Sequence, residues 1–315
     1  MLKNCYAELQ VTSNYSFLRG GSHIEELFAQ AKTLGLSALG ITDRNTLAGI
    51  SRAHQRAAEV GVRLVVGCRL DLREGVSVLV YPEDRPAYSR LCRLLTVGKA
   101  RAGKGTCDLG WEDLAAQGEN LVAILLAHAP GPELAARLSR LRSDFPGRAY
   151  LALTLRHRPG DAVRIRALAE MAQDHRVPTV ATGDVLYHIP ERSIVQDVVT
   201  CIREGCTIDE AGFRLEQHAG RYLRPAAEMA RLFANYPEAV ARTIEITEHC
   251  SFSLSELCYQ YPNEIDDPAA TTQQSLEKLV WQSGEARYPG GVPSEVAAQL
   301  RHELHLIADL AYAPY

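Results

Sequence analysis

Leu9 and Val11 alternate with Gln10 and Thr12 in YAELQVT (6–12), and Ser13-Asn14-Tyr15-Ser16 then breaks the alternation. A period of two over a short run predicts a strand with two unlike faces. HIEELFAQAKTLG (23–35) follows, and its Ile24, Leu27, Phe28 and Ala31 share one face of a helix. The alternation of types continues. ALGIT (38–42) reads as a strand, LAGISRAHQRAAEVG (47–61) as a helix, and VRLVVGCRLDL (62–72) and VSVLVYP (76–82) as β-rich runs. PAYSRLCRLLTVG (86–98) reads as a helix, LVAILLA (121–127) as a buried strand, and ELAARLSRLRSDF (133–145) as a helix. AYLALTL (149–155), AVRIRALAEMAQDH (162–175) and PTVATGD (178–184) complete the series. Strands separated by helices predict βα units on a parallel sheet, and six or seven of them favour a closed barrel.

Beyond about residue 190 the strands stop. IVQDVVTCI, AEMARLFANY and PEAVARTIEITEHC are helical, with Pro225 and Pro237 at helix starts. YQYPNEIDDPAATTQQ (259–274) reads as a linker. Two helices follow, 275–287 and 294–312, and the last is strongly amphipathic up to the end of the chain. An apolar face at a terminus needs a cover, so the chain is expected to be a piece of a longer protein.

Composition adds bounds. The 315 residues are 46% hydrophobic and 23% charged, with a net charge of −4, which suits one large or two smaller globular domains. A self-sufficient nucleic-acid-binding module would usually be basic, so DNA affinity must be local or supplied by other parts. The eight cysteines include no CxxC pair and read as reduced, mostly buried thiols. A zinc site on Cys201 and Cys206 lacks a second pair nearby. No signal peptide and no apolar run long enough to span a bilayer occur, and a cytoplasmic, monomeric chain is expected. A basic run, Arg85, Arg90, Arg93, Lys99, Arg101 and Lys104 with Tyr88, could touch a DNA backbone, but Glu83, Asp84 and Asp108 dilute it.

In a parallel α/β barrel the functional residues lie at the carboxyl ends of the strands. Here those ends offer Gln10 and Thr12, Asp43 and Arg44, Arg69, His128, His157, and Asp184 with Leu186 and His188 beyond it.

With these residues assembled, the chain resembles the polymerase and histidinol phosphatase (PHP) domain, a distorted (β/α)7 barrel that carries up to three metals in its active members. YAELQVTSNYSFLRGGSH, ALGITDRNTLAGI, YPEDRPAYSRLCRLLTVGKARAGKG, ATGDVLYHIPER and QDVVTCIREGCTIDEAGFRLE resemble the N-terminal part of bacterial C-family DNA polymerases, the error-prone paralogue more than the replicative one. The resemblance covers essentially the whole chain. It implies a PHP domain over residues 1–258 and the start of the polymerase palm over 259–315. The family carries His-x-His where this chain has Gln10-x-Thr12, Asp-His where it has Asp43-Arg44, a glutamate where it has Arg69, and Asp-x-His where it has Asp184-x-Leu186. An amide and a hydroxyl are weak ligands, and a guanidinium repels a cation. Asp43, His128, His157 and Asp184 keep donors, as a remnant metal site expected to be weak or empty.

The resemblance further implies an error-prone DNA polymerase as parent, a nucleotidyltransferase using Mg²⁺ held by palm carboxylates beyond residue 315. This fragment is then expected to have no cofactor and no polymerase activity. DNA, the sliding clamp and the accessory proteins of damage-induced mutagenesis are the implied partners. The PHP domain becomes a structural scaffold. Its rivals are an active metal-dependent phosphoesterase or 3′–5′ proofreading exonuclease, and a pure interaction module. Each surviving donor also has a structural reading: Asp43 and Asn45 as helix caps, Asp184 as an acceptor in a turn, His157 as a surface residue, and His128 as a strand terminus.

Overall fold

A computed structural model describes residues 5–156, 158–257 and 270–315. The chain divides into two compact units, Met1–Glu256 and Leu257–Tyr315.

The first unit opens with β1 (Ala7–Val11), α1 (Ile24–Thr33), β2 (Ala38–Ile41), α2 (Ile50–Val60) and β3 (Arg63–Val66). These strands form a parallel sheet in the order β1-β2-β3. Gly67 then bends the chain into β4 (Cys68–Asp71), which turns back on β5 (Ser77–Pro82). A Cβ on Gly67 would lie 2.6 Å from the Tyr81 ring, so the bend requires glycine. After α3 (Arg85–Arg101) and α4 (Trp111–Ala116) come β6 (Leu121–Leu126), α5 (Pro132–Asp144), β7 (Ala149–Thr154), α6 (Asp161–Asp174) and β8 (Thr179–Thr182). The second sheet runs β4-β5-β6-β7-β8.

The expectation of an all-parallel sheet is corrected here. β5 is antiparallel to both β4 and β6. The residues between β4 and β5, Leu72 to Val76, form a tight connection with Gly75 at φ +71°, too short for a crossover helix. Helix α4 also lies in a stretch for which the periodicity gave no element.

The two sheets close on each other. Arg44 and Arg69 form a parallel bridge on one side, and Val11 and Val185 on the other. Ala7 and Leu9, Ala38, Val65, Leu79 and Tyr81, and Val122 and Ile124 contribute to one enclosed apolar cluster. That collection from successive strands is the lumen of a distorted barrel. The helices cover the outside through a second, larger cluster that includes Phe28, Ile50, Leu91, Leu138 and Leu168.

The helical tail of this unit comprises α7 (Ser193–Glu204), α8 (Ile208–Ala211), α9 (Ala226–Leu232) and α10 (Pro237–His249). Helix α10 seals the amino ends of the strands. The Thr243 hydroxyl accepts from the Ala7 N–H at 3.2 Å, Arg242 donates to the Thr179 carbonyl, and Ile246 and Cys250 enter the luminal cluster. The carboxyl ends of the strands are therefore the open end. In the second unit, α11 (Thr272–Arg287) and α12 (Ser294–Asp309) pack together, with Ala297 and Leu304 buried and Gln273 donating to the Leu304 carbonyl. The proposed linker falls mostly on residues 258–269, outside the described residues. No described helix is long and apolar enough to cross a membrane.

Candidate functional site

A bulge in β1, between Glu8 and Val11, sets the site. Without it, strict alternation would put Gln10 and Val11 on the wrong faces. With it, Val11 joins the outer apolar layer while the Gln10 amide donates to Asp184 Oδ1 at 2.7 Å. Gln10 and Thr12 therefore belong to the buried polar end of the barrel and are not solvent-facing.

Asp184 sits just past β8 in a left-handed conformation, φ +48°. Its second carboxylate oxygen pairs with Arg221 at 2.5 Å, and the same guanidinium donates to the Asp184 carbonyl and to Glu216. Burial pushes the Asp184 pKa up, but Arg221 and Arg69 outweigh it and hold the carboxyl below its ordinary value. Its expected role as a turn acceptor of backbone N–H groups is replaced by this ion pair. Leu186 is buried, and its N–H donates to the Arg221 carbonyl.

Asp43 follows β2 and is buried. It does not cap α2, which begins at Ile50. It accepts from the Ser13 N–H at 2.8 Å, the Ser13 hydroxyl at 2.7 Å and the Ser16 hydroxyl at 2.6 Å. The carboxylate thus organises the loop after β1. Burial raises its pKa against these donors. Asn45 does not cap the helix either: it sits at φ +51° and accepts from the Asp71 N–H.

Arg44 and Arg69 converge on a carboxylate that the strand-end survey missed. Arg44 donates to Asp71 Oδ2 and Arg69 to Asp71 Oδ1, both at 2.8 Å. Burial, and then the two guanidinium groups, set the balance at Asp71, which stays below its ordinary pKa. Burial and the charge of Arg69 lower the Arg44 pKa to about 10. His128 lies past the end of β6, where Arg156 contacts its Nδ1. Partial burial and the Arg156 charge lower its pKa. His157 lies outside the described residues. His188 hydrogen-bonds the Ser22 hydroxyl through Nδ1 at 2.7 Å.

Metal ligands must offer free lone pairs to one point. Asp43 and Asp184 instead spend theirs on protein donors, and Arg44, Arg69, Arg156 and Arg221 bring positive charge to the same end of the barrel. The described residues therefore do not fit the multinuclear metal centre of the fold. Among them, no three His, Cys, Asp or Glu side chains form a group suited to hold a metal ion.

The basic run does not form one stripe. Arg90 pairs with Glu119, Arg101 with Asp113, and Tyr88 stacks on Phe252 at 4.5 Å. The seven cysteines among the described residues are free thiols.

Besides Asp71, two further side chains at this end carry no mark in the sequence reading. Arg221 lies far along the chain from Asp184, in a segment without periodicity, so no local signal marks it. Glu8 sits two residues before Gln10 and is buried. It accepts from the Tyr6 hydroxyl at 2.7 Å and from the Gln10 and Gly183 N–H groups at 2.9 Å, tying β1 to the end of β8. Burial pushes its pKa up to about 7.

Residues 8–157 match the family profile of the PHP domain, so the barrel with this polar end is of the PHP class. Over nearly its whole length the chain is similar to error-prone DNA polymerases. It is 59% identical over 310 residues to error-prone DNA polymerase 1 of Agrobacterium fabrum, covering 98% of this chain and 28% of that protein. It is 54% identical to error-prone DNA polymerase 2 of Rhizobium meliloti, again over 98% of this chain and 28% of the relative. The chain thus spans about 28% of the length of these curated relatives. Among solved structures, an amidohydrolase from Chromobacterium violaceum is similar at 16% identity and a TM-score of 0.45, covering 58% of this chain and 88% of that one. That likeness is too loose to bear on function.

Proposed function

We propose that this chain is a portion of an error-prone, lesion-bypassing DNA polymerase in which the PHP barrel is a structural scaffold without metal-dependent nuclease activity. One observation carries the reading: at the end of the barrel where ligands would converge, Asp184 and Asp71 are held by Arg221, Arg44 and Arg69. Paired carboxylates and guanidinium groups make a rigid, hydrogen-bonded plug, which suits support of neighbouring domains. Identity above 50% to error-prone polymerases supports the polymerase parent. Its nucleotidyl transfer, with Mg²⁺ held by palm carboxylates, is assigned to residues outside this chain. Residues 259–315 would begin that palm region. DNA, a sliding clamp and mutagenesis accessory proteins would be partners of the whole polymerase.

The test is hydrolysis of 5′-labelled single-stranded DNA by the purified chain with Mn²⁺ or Zn²⁺. The scaffold reading expects no shortening of the strand. Shortening that disappears in Asp184→Asn would overturn it in favour of an active exonuclease.

A further inference from the structure

The mouth of the barrel opens into a cavity of about 740 Å³ between the loop after β1, the loop after β2 and the segment joining α3 to α4. Five basic side chains line it, Arg19, Arg44, Lys99, Lys104 and Arg203, against a single acidic one, Asp71. Asp71 is already committed to Arg44 and Arg69. Arg203 has Glu204 and the Leu18 carbonyl. Arg19, half-buried, has no side-chain acceptor among the described residues, nor do Lys99 and Lys104.

A half-buried guanidinium with no hydrogen-bonded carboxylate is costly; Asp71 and Glu204 act on Arg19 only through space, and like charge crowds it. Burial, and then the Arg203 charge, depress the Arg19 pKa. The whole chain has a net charge of −4, so this concentration of positive charge is local and not a consequence of a basic protein. An anion entering the cavity would relieve the repulsion. Its size admits more than a single small ion. Tyr15 also lines the cavity, and Phe17 stands at its edge with 84% of its surface exposed. An exposed aromatic ring beside a cationic groove is the pairing that holds a base and its phosphate.

We propose that this cavity is a metal-independent binding site for nucleotide phosphates, with Arg19, Lys99, Lys104 and Arg203 meeting the phosphates and Phe17 stacking on the base. Free nucleotide and the phosphodiester of a DNA strand offer the same chemistry. The inference goes beyond the scaffold reading, because a plugged metal centre requires no ligand at all.

The probes are a fluorescent oligodeoxythymidylate, with unlabelled deoxythymidine triphosphate and pyrophosphate as competitors, in EDTA. Saturable binding that weakens steeply with salt is expected. Arg19→Ala with Lys99→Ala is expected to weaken it about tenfold or more; neither side chain makes a hydrogen bond that the fold needs. Phe17→Ala is expected to weaken the oligonucleotide several-fold and leave competition by pyrophosphate unchanged. A control pair on other helices, Arg142→Ala with Arg166→Ala, is expected to change nothing. Competition by the triphosphate with weak strand binding assigns the site to free nucleotide, and the reverse assigns it to DNA; both support the shared chemistry. No saturable binding, or equal losses in the control pair, overturns the proposal while leaving the scaffold reading intact. Binding that appears only on adding Mn²⁺ overturns the proposal and the scaffold reading together.

Discussion

Glu8 is the side chain on which the seam between the first and last strands depends. One carboxylate accepts two backbone N–H groups and a tyrosine hydroxyl, and a Cβ on Gly183 would come within 2.4 Å of it. Glu8→Ala strands three buried donors and is expected to cost about 3 kcal/mol in urea denaturation. The pH dependence has a definite sign. The folded-state pKa, about 7, lies above the ordinary 4.5. The contribution of this group to stability is therefore full below about 4.5 and declines as pH rises through 7. Glu8→Gln is expected to flatten that decline relative to the parent chain. The Asp184–Arg221 pair behaves oppositely, because Asp184 is held below its ordinary value; its contribution fades only as pH falls into the acid range. Arg221→Ala leaves a carboxylate without its cation and is expected to cost about 3 kcal/mol, more than Asp184→Asn with Arg221→Ala together. Gln10 and Asp184 were legible in the sequence as strand-end polar residues. Glu8 was equally legible in principle, since it shares the polar alternation of β1. Arg221 and Asp71 were not, because pairing across distant segments leaves no periodic trace.

At the scale of elements, the order of strands and helices follows the hydrophobic periods closely, whereas strand direction does not. A run of apolar residues reports burial, not polarity of pairing, so β5 reads the same whether parallel or antiparallel. The deciding cue was the short span between β4 and β5, which leaves no room for a crossover helix. The β1 bulge is also silent in sequence, since one extra residue changes faces without changing composition. Gly67, by contrast, has a visible consequence. Gly67→Ala would press a methyl group against the Tyr81 ring, whose hydroxyl donates to the Leu9 carbonyl. A loss of about 2 kcal/mol is expected in thermal or urea unfolding, with part of it recovered by Tyr81→Phe if ring displacement breaks that hydrogen bond.

For the whole molecule, the scaffold proposal rests on a contrast between the fold and the open end of its barrel. The barrel retains the architecture of the PHP class, with α10 closing one end and the strand termini open at the other. At the open end, Arg44 and Arg69 stand where the family's ligands are implied and share Asp71, while Asp184 pairs with Arg221 and Asp43 is held by Ser13 and Ser16. The family resemblance was legible in long sequence motifs, and with it came the expectation that Gln10, Thr12, Arg44, Arg69 and Leu186 stand at ligand positions. The polar contacts at the open end could not be read, because they depend on Arg221, Asp71 and the serines around Asp43 meeting in space. The most direct test of the account is the metal content of the purified chain after dialysis against trace Mn²⁺ and Zn²⁺, read by elemental analysis. The account predicts no stoichiometric metal, unchanged in Asp43→Asn and Asp184→Asn. Two or more ions per chain, lost in either variant, would contradict it.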